Sequence, residues 1–334
     1  MTTDQRTTSS FSITPTGAFS LAEAGSFGHG AEPSGDWPGA HAFTGGVLRL
    51  AFCTDDLRGQ AGVAVTQDAR GVVHGEVSGL DPGADVGPVR DQVARILSLD
   101  GDGEGFAAVG ERDPLVGRLQ AAAPGLRPVL FHSPYEGALW CVISQRWGRG
   151  QALRARERLA RELGRVIEVD GEPVAAAPTP EALLAAERLS GLPEVKQERL
   201  RAVARAATEG VFDPVAIREG EPAEVEARLR TVPGIGAFAA GLVHLRASGV
   251  QDVLVDGEPR LAALVGAAYG LGGPAAPRQL AEIAEAWRPY RTWTAVLVRA
   301  AGRRLPELAD LPDAGPPGRA PRRGPAQEPL ALIS

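Results

Sequence analysis

The residues that most clearly suggest chemistry are Pro233-Gly234-Ile235-Gly236. Glycine reaches positive φ at little steric cost, so Gly234 and Gly236 can carry a sharp turn there. Pro233 closes the helix before it. Such a turn leaves backbone N–H groups pointing outward at the start of the following helix, with the helix dipole behind them. That arrangement suits a phosphate, and with no glycine side chain in the way a nucleic-acid backbone can come close. The flanking elements are helical. One apolar pattern runs in through Val225, Leu229 and Val232, and a second runs out through Phe238, Leu242, Val243 and Leu245. The whole stretch is 229–249. Taken alone, the same four residues also make a corner in an all-helical enzyme.

Composition sets outer bounds. A chain of 334 residues makes one to three domains, and 44% hydrophobic with 23% charged residues is ordinary for a globular protein. No apolar run is long enough to span a bilayer. The N-terminus lacks a basic segment followed by an apolar core, so a cytoplasmic location is expected. The net charge of −6 opposes nucleic-acid binding in its sign. Acidic residues crowd the N-terminal third and the 216–226 segment, while Arg recurs in the later helices, so a basic face on an acidic body is expected. The two cysteines, Cys53 and Cys141, are too few for an iron–sulfur cluster or an all-cysteine zinc site.

The order of elements predicts an α+β N-terminal domain followed by a mainly α region. Residues 1–10 are polar and expected to be disordered. Strand-like runs cover 47–52, 62–67 and 72–77, with a hairpin turn at Asp68-Ala69-Arg70-Gly71. A helix over 88–99 completes a first domain of 11–110. From 111 to 304 the pattern is helical. Ser133 as N-cap, Pro134 at N1 and Glu136 at N3 start a helix that is apolar nearly all round and therefore buried. Further helices are expected over 151–164, 180–189 (capped by Thr179), 193–209 (with Lys196, the only Lys of the chain), after Pro259, over 277–287 and over 291–301. Residues 305–334 read as a flexible Pro/Gly/Arg tail.

These motifs together resemble the helix-hairpin-helix DNA glycosylase superfamily, and within it the 3-methyladenine DNA glycosylase II branch. The resemblance is carried by Pro124-Gly125-Leu126-Arg127, by Ser133 through Gln145, by Pro178 through Leu183, and by Gly191-Leu192-Pro193 with Lys196. It continues through the hairpin, Leu245-Arg246, Gly249, Asp252-Val253 and Trp287-Arg288-Pro289-Tyr290-Arg291, spanning roughly 120–304. It implies a protein that flips a damaged base out of duplex DNA and hydrolyses its N-glycosidic bond.

The resemblance also assigns roles. The residue after Gln145, Arg146, takes the place of the wedge that fills the gap left by the base, and Trp147 follows it. Bifunctional members carry a Lys nucleophile where this chain has Phe238, which implies a monofunctional enzyme without lyase activity. The carboxylate that stabilises the oxocarbenium-like sugar falls at Glu258 where the family has Asp, with Asp256 as the alternative register. DNA contacts are implied for Gln145, Arg146, Gly234, Ile235, Gly236 and Arg246. Two pocket positions that are often aromatic read Leu242 and Arg299, leaving Phe238, Trp140 and Trp293 as candidate stacking surfaces, although core is the commoner place for each such ring. An Arg near the pocket would disfavour a cationic alkylated base and could hydrogen-bond a neutral one such as hypoxanthine, so alkylated and deaminated purines both stay open. His244 reads as a solvated or satisfied helix histidine.

The expected partner is double-stranded damaged DNA. A monomer is expected, with no membrane, no iron–sulfur cluster and no cofactor. The family's monovalent cation at the hairpin carbonyls is not readable from side chains. Two rivals remain: a catalytically silent DNA-binding relative with a degenerate site, and a helical protein-interaction module.

Overall fold

The computed structural model describes residues 9–26, 41–254 and 258–311. The N-terminal part is a five-stranded antiparallel sheet. Its strands are β1 (Ser9–Ile13), β2 (His41–Thr44), β3 (Val47–Cys53), β4 (Gln60–Gln67) and β5 (Val73–Ser78), in the order β1-β5-β4-β3-β2. The predicted turn joins β4 to β5. The Asp68 carboxylate accepts from the N–H groups of Arg70 and Val72, and Gly71 takes φ 85°. Helices α1 (Leu21–Ser26) and α2 (Gly87–Ile96) contribute to the core over one face, where Leu48, Leu50, Phe52, Val63 and Val65 are buried with Val89, Val93 and Ile96.

The opposite sheet face is built from small residues, and the reason lies further along the chain. Strands β6 (Arg165–Val169) and β7 (Glu172–Ala176) form an antiparallel hairpin that packs on it. Ala51 and Ala64 meet Ile167, Val169 and Ala176 there. A Cβ on Gly62 would come within 2.6 Å of Val169. Sequence reading assigns no strands to 165–176. The turn was nevertheless signalled by Asp170-Gly171, which take φ 49° and 76°, the left-handed pair that a tight hairpin requires. An ion pair from Arg49 to Asp170 fastens the hairpin to the sheet.

The helices fall around two further cores. One holds α5 (Pro134–Ser144), α6 (Arg149–Leu163), α7 (Pro180–Ala185), α8 (Glu194–Thr208), α9 (Pro214–Glu219), α10 (Pro222–Leu229) and α11 (Ala237–Ala247). The central helix α5 is buried along nearly its whole length, and Ser133 caps it through the N–H of Glu136, as expected. The other core unites α3 (Gly103–Arg112) and α4 (Pro114–Ala122) with α12 (Pro259–Ala268), α13 (Pro277–Ala284), α14 (Arg291–Ala301) and α15 (Pro306–Ala309).

Three boundaries therefore differ from expectation. Residue 110 lies inside α3, whose Phe106 and Val109 pack with the last helices, so the division at 110/111 cuts through a helix. Ser9 and Ser10 belong to β1, because they pair with Val77 and Glu76. Residues 305–311 are part of the fold, because Leu305 and Leu308 are buried in the last core and Glu307 pairs with Arg118. The remainder of the expected tail lies outside the described residues.

Asp113 gathers the last core. It caps α4 through the N–H groups of Leu115 and Val116, and accepts from Trp287 Nε1 at 2.8 Å and from the Tyr269 hydroxyl. Asp113→Ala would leave one buried and one half-buried donor, Trp287 Nε1 and the Tyr269 hydroxyl, without that acceptor and remove a cap. It should destabilise by about 3 kcal/mol, and Asp113→Asn by less. Denaturant unfolding midpoints check this.

Candidate nucleic-acid interface and active site

The hairpin forms between α10 and α11. After α10, Val232 N–H donates to Leu229 O at 3.2 Å and Ile235 N–H to Val232 O at 2.9 Å. Gly234 takes φ 96°, and a Cβ there would meet the Arg199 methylenes at 2.8 Å, so both conformation and space demand glycine. Gly236 differs from expectation. At φ −87° and ψ −178° its backbone is extended and open to any residue. It is the N-cap of α11, no side chain caps that helix, and nothing stands near where its Cβ would be. Gly236, Ala237 and Phe238 are exposed, so the α11 N-terminus is open in the way anion binding requires.

Ile235 needs correcting as a DNA contact. Its side chain is buried and its N–H is spent on Val232, so it anchors the turn instead. The carbonyls of Val232 and Gly234 accept from Ile235 N–H and Gln145 Nε2. Among the described residues no group of three His, Cys, Asp or Glu side chains is placed to hold a metal.

The turn after α5 is tied to this hairpin. Gln145 Nε2 donates to Gly234 O at 2.6 Å, and Gln145 Oε1 accepts from Arg199 on α8 at 2.7 Å. Arg146 is exposed and left-handed at φ 58°, a conformation that costs a side-chain-bearing residue about 1–2 kcal/mol. Lys196, also on α8, is buried. Its ammonium donates to Ile143 O and lies 3.6 Å from the centre of the Trp147 ring. Burial, aided by the Arg199 charge, pulls Lys196 down to about 8. Sequence reading noted Lys196 as the sole lysine and as part of the Gly191-Leu192-Pro193 motif, without a role at the wedge turn, and passed over Arg199. Neither partner lies within nine residues of the helix or hairpin it braces, so spacing could not reveal the contacts.

Glu258 is the N-cap of α12, with Pro259 at N1 as expected. Its Oε1 accepts from Arg260 N–H at 3.2 Å and its Oε2 from Leu261 N–H at 2.7 Å. Arg299 Nε on α14 lies 3.1 Å from Oε2. The approach to Glu258 is anchored on α14 as well. Thr292 N–H donates to Gln251 O and Val253 N–H to Thr292 Oγ1, while the Asp252 carboxylate pairs with Arg291 at 2.7 Å and Arg288 at 3.0 Å. Asp252 thus serves as a strut, a role that the sequence pattern left unassigned. Asp256 lies outside the described residues.

The pocket candidates separate. Phe238 stands 71% exposed on the first turn of α11. Leu242 is partly buried against the hairpin core, and Arg299 faces Glu258. Trp293 is corrected to core: it is 2% exposed, edge-on to Phe106 at 5.2 Å and close to Tyr290 and Arg127. Trp140 is likewise a buried member of the α5–α11 core. Both rings are already covered by the protein and offer no open stacking face. Arg246 is corrected from phosphate ligand to structural tie, because its guanidinium donates to Val129 O at 3.0 Å.

No protein-family model and no curated protein sequence matches the chain. Solved structures do. The 3-methyladenine DNA-glycosylase from Archaeoglobus fulgidus aligns with TM-score 0.71 at 22% identity, over 88% of this chain and 98% of that one. MBOgg1 in complex with a low-affinity DNA ligand aligns with TM-score 0.65 at 17% identity, over 88% and 95%. The apo form of the Clostridium acetobutylicum 8-oxoguanine glycosylase/lyase gives 0.59 at 13%, over 87% and 95%. At such identities the likeness is one of fold. The chain has the fold of helix-hairpin-helix DNA glycosylases, sheet included, and the resemblance carried by the motifs extends to the tertiary structure.

His244 completes the hairpin from within. It is wholly buried on α11 with Nδ1 3.6 Å from Glu226 on α10. Burial lowers it below its ordinary 6.5, against the pull of Glu226. The unfolded chain then binds the proton more readily than the folded one, so stability is present above 6.5 and is lost as pH falls below it. Unfolding midpoints between pH 7 and 5 should drop more steeply for the wild type than for His244→Gln.

Proposed function

We propose that the protein is a monofunctional DNA glycosylase that excises a damaged purine from duplex DNA. The observation that carries this reading is Glu258 on a glycosylase fold, a carboxylate held by two backbone N–H groups and Arg299 at the start of the helix that follows the hairpin. In the proposed mechanism the α11 N-terminus and the backbone of Gly234 and Gly236 grip a phosphate, and Arg146 fills the space vacated by the flipped base. As the C1′–N bond breaks, positive charge spreads over the sugar and the Glu258 carboxylate offsets it. Water adds to C1′ and gives up a proton, while the departing base takes one, leaving an abasic site.

Two features support hydrolysis without strand cleavage. Phe238 stands where a Schiff-base lysine would be needed. The sole lysine, Lys196, has its ammonium engaged by Ile143 O and the Trp147 ring. The exposed Phe238 ring is the natural surface for a flipped base to stack on. Arg299 beside Glu258 favours a neutral base, such as a deaminated purine, over a cationic alkylated one. The same ion pair gives weight to a second reading, a catalytically silent DNA-binding relative in which Glu258 is only a cap.

The test is excision from labelled duplexes containing hypoxanthine or alkylated purines, with and without alkali. The expected product breaks only in alkali, and Glu258→Gln lowers the rate about 100-fold, whereas Asp256→Asn leaves it near wild type. Loss confined to Asp256→Asn would move the catalytic register. Tight, salt-weakened binding without excision of any base would favour the silent relative, and binding indifferent to salt would favour a protein-interaction module.

A further inference from the structure

The wedge turn carries more bracing than its length requires. α5 ends at Ser144, so the carbonyl of Ile143 has no helical partner. The Lys196 ammonium takes it, at the negative end of the helix dipole where a cation is favoured. The other side of that ammonium is covered by Trp147, which stands one residue past Arg146 and packs against the core. The backbone N–H of Trp147 returns to Ser144 O at 3.1 Å. One turn further along α8, Arg199 holds Gln145, and Gln145 holds the hairpin. Arg146, exposed and with a left-handed backbone, thus stands in a segment pinned on one side by the half-buried Gln145–Arg199 pair and on the other by the buried Lys196.

We propose that Lys196 is a positioning residue for Arg146: clamped between the Ile143 carbonyl and the Trp147 ring, it holds the 145–148 turn in its wedge shape before DNA arrives. The benefit is preorganisation. A wedge that must be ordered on binding spends part of its interaction free energy on that ordering, and a braced one does not. The brace is a property of the chain itself; naming DNA as what Arg146 enters rests on the glycosylase reading.

The experiment has two arms on the full-length chain. The first needs no DNA: limited trypsin digestion, with cleavage after Arg146 followed by mass spectrometry against cleavage after the well-exposed Arg278 as internal reference. Lys196→Met should speed cleavage after Arg146 about tenfold with Arg278 unchanged. Trp147→Leu, at a partly exposed position, should act in the same direction by about threefold. Equal cleavage in wild type and both variants would overturn the brace.

The second arm compares affinity for a duplex containing an abasic-site analogue with affinity for the same duplex intact. Lys196→Met should lose about tenfold of the preference for the abasic duplex while binding the intact one as wild type does. Arg146→Ala should lose as much, and the double variant no more, because both act through one element. Equal losses on both duplexes, or losses that add, would refute a role through the wedge. A wild type that binds neither duplex would sink the glycosylase reading and the wedge with it, while the digestion would still decide whether Lys196 braces the turn.

Discussion

The Arg95 guanidinium is buried, and burial obliges it to find acceptors that can replace water. It finds them on three separate segments: the Asp55 carboxylate after β3 at 2.7 Å, His132 O before α5 at 2.9 Å, and Ala247 O at the end of α11. One side chain on α2 therefore fixes where the sheet ends, where the central helix begins and where the second hairpin helix stops. Gln92, one turn earlier, adds Cys53 O and His132 O. Glu136 closes the same junction from the helical side, accepting from Cys53 N–H at 3.0 Å with Arg156 and His132 beside it. Burial alone would raise Glu136, yet the neighbouring His132 ring, the Arg156 guanidinium and the Cys53 N–H hold it below the ordinary carboxylate range. Removing one member of such a network strands the others, which is why its geometry is over-determined.

The functional elements hang from this junction by their ends. α5 starts at it and finishes in the wedge turn; α11 starts at the hairpin and finishes at it. The link from Gln145 to Gly234 joins the two distal ends. Two helices tied together at both ends have little freedom to slide, so in the proposed mechanism a phosphate grip at the hairpin and a side chain in the base gap would act from one rigid frame. The carboxylate belongs to the other helical core, on α12, and reaches this frame through 248–254, a connection nailed to α14 by Thr292 and Asp252. A site assembled across two cores can keep its spacing only if such connections are stiff.

Charge follows the same division of labour. The chain is acidic overall at −6, yet the arginines named here are mostly spent inside the fold, on carbonyls and carboxylates. Arg127 is the extreme case, buried between Phe19 and Trp293 and donating to Ala18 O and Ser98 O. Arg246 and Arg299 also serve internal partners. Counting arginines in a segment therefore overstates the positive charge a nucleic acid would meet. Backbone N–H groups at the α11 N-terminus, which no composition records, would be left to do more of that attraction.

What the sequence by itself determined was local. Pro233, Gly234 and the apolar spacing on either side dictate a helical hairpin; Ser133-Pro134 and Glu258-Pro259 dictate helix starts; Asp68 and Gly71 dictate a turn. In each case the controlling interaction lies within a few residues, and side-chain type is enough to reveal it. The β6–β7 hairpin was missed: Asp170-Gly171 signals only its turn, and its burial partners, Ala51 and Ala64, are more than a hundred residues away. Tertiary structure alone decided that Gly236 is extended, that Ile235 faces inward, that Trp293 is core and Phe238 exposed, and that α3 joins the last helices. It alone brought Lys196 under Trp147 and Arg299 onto Glu258. Those pairings depend on how separate elements pack, and a guanidinium or a ring carries no mark in sequence of whether its partner is water, a carbonyl or another core residue.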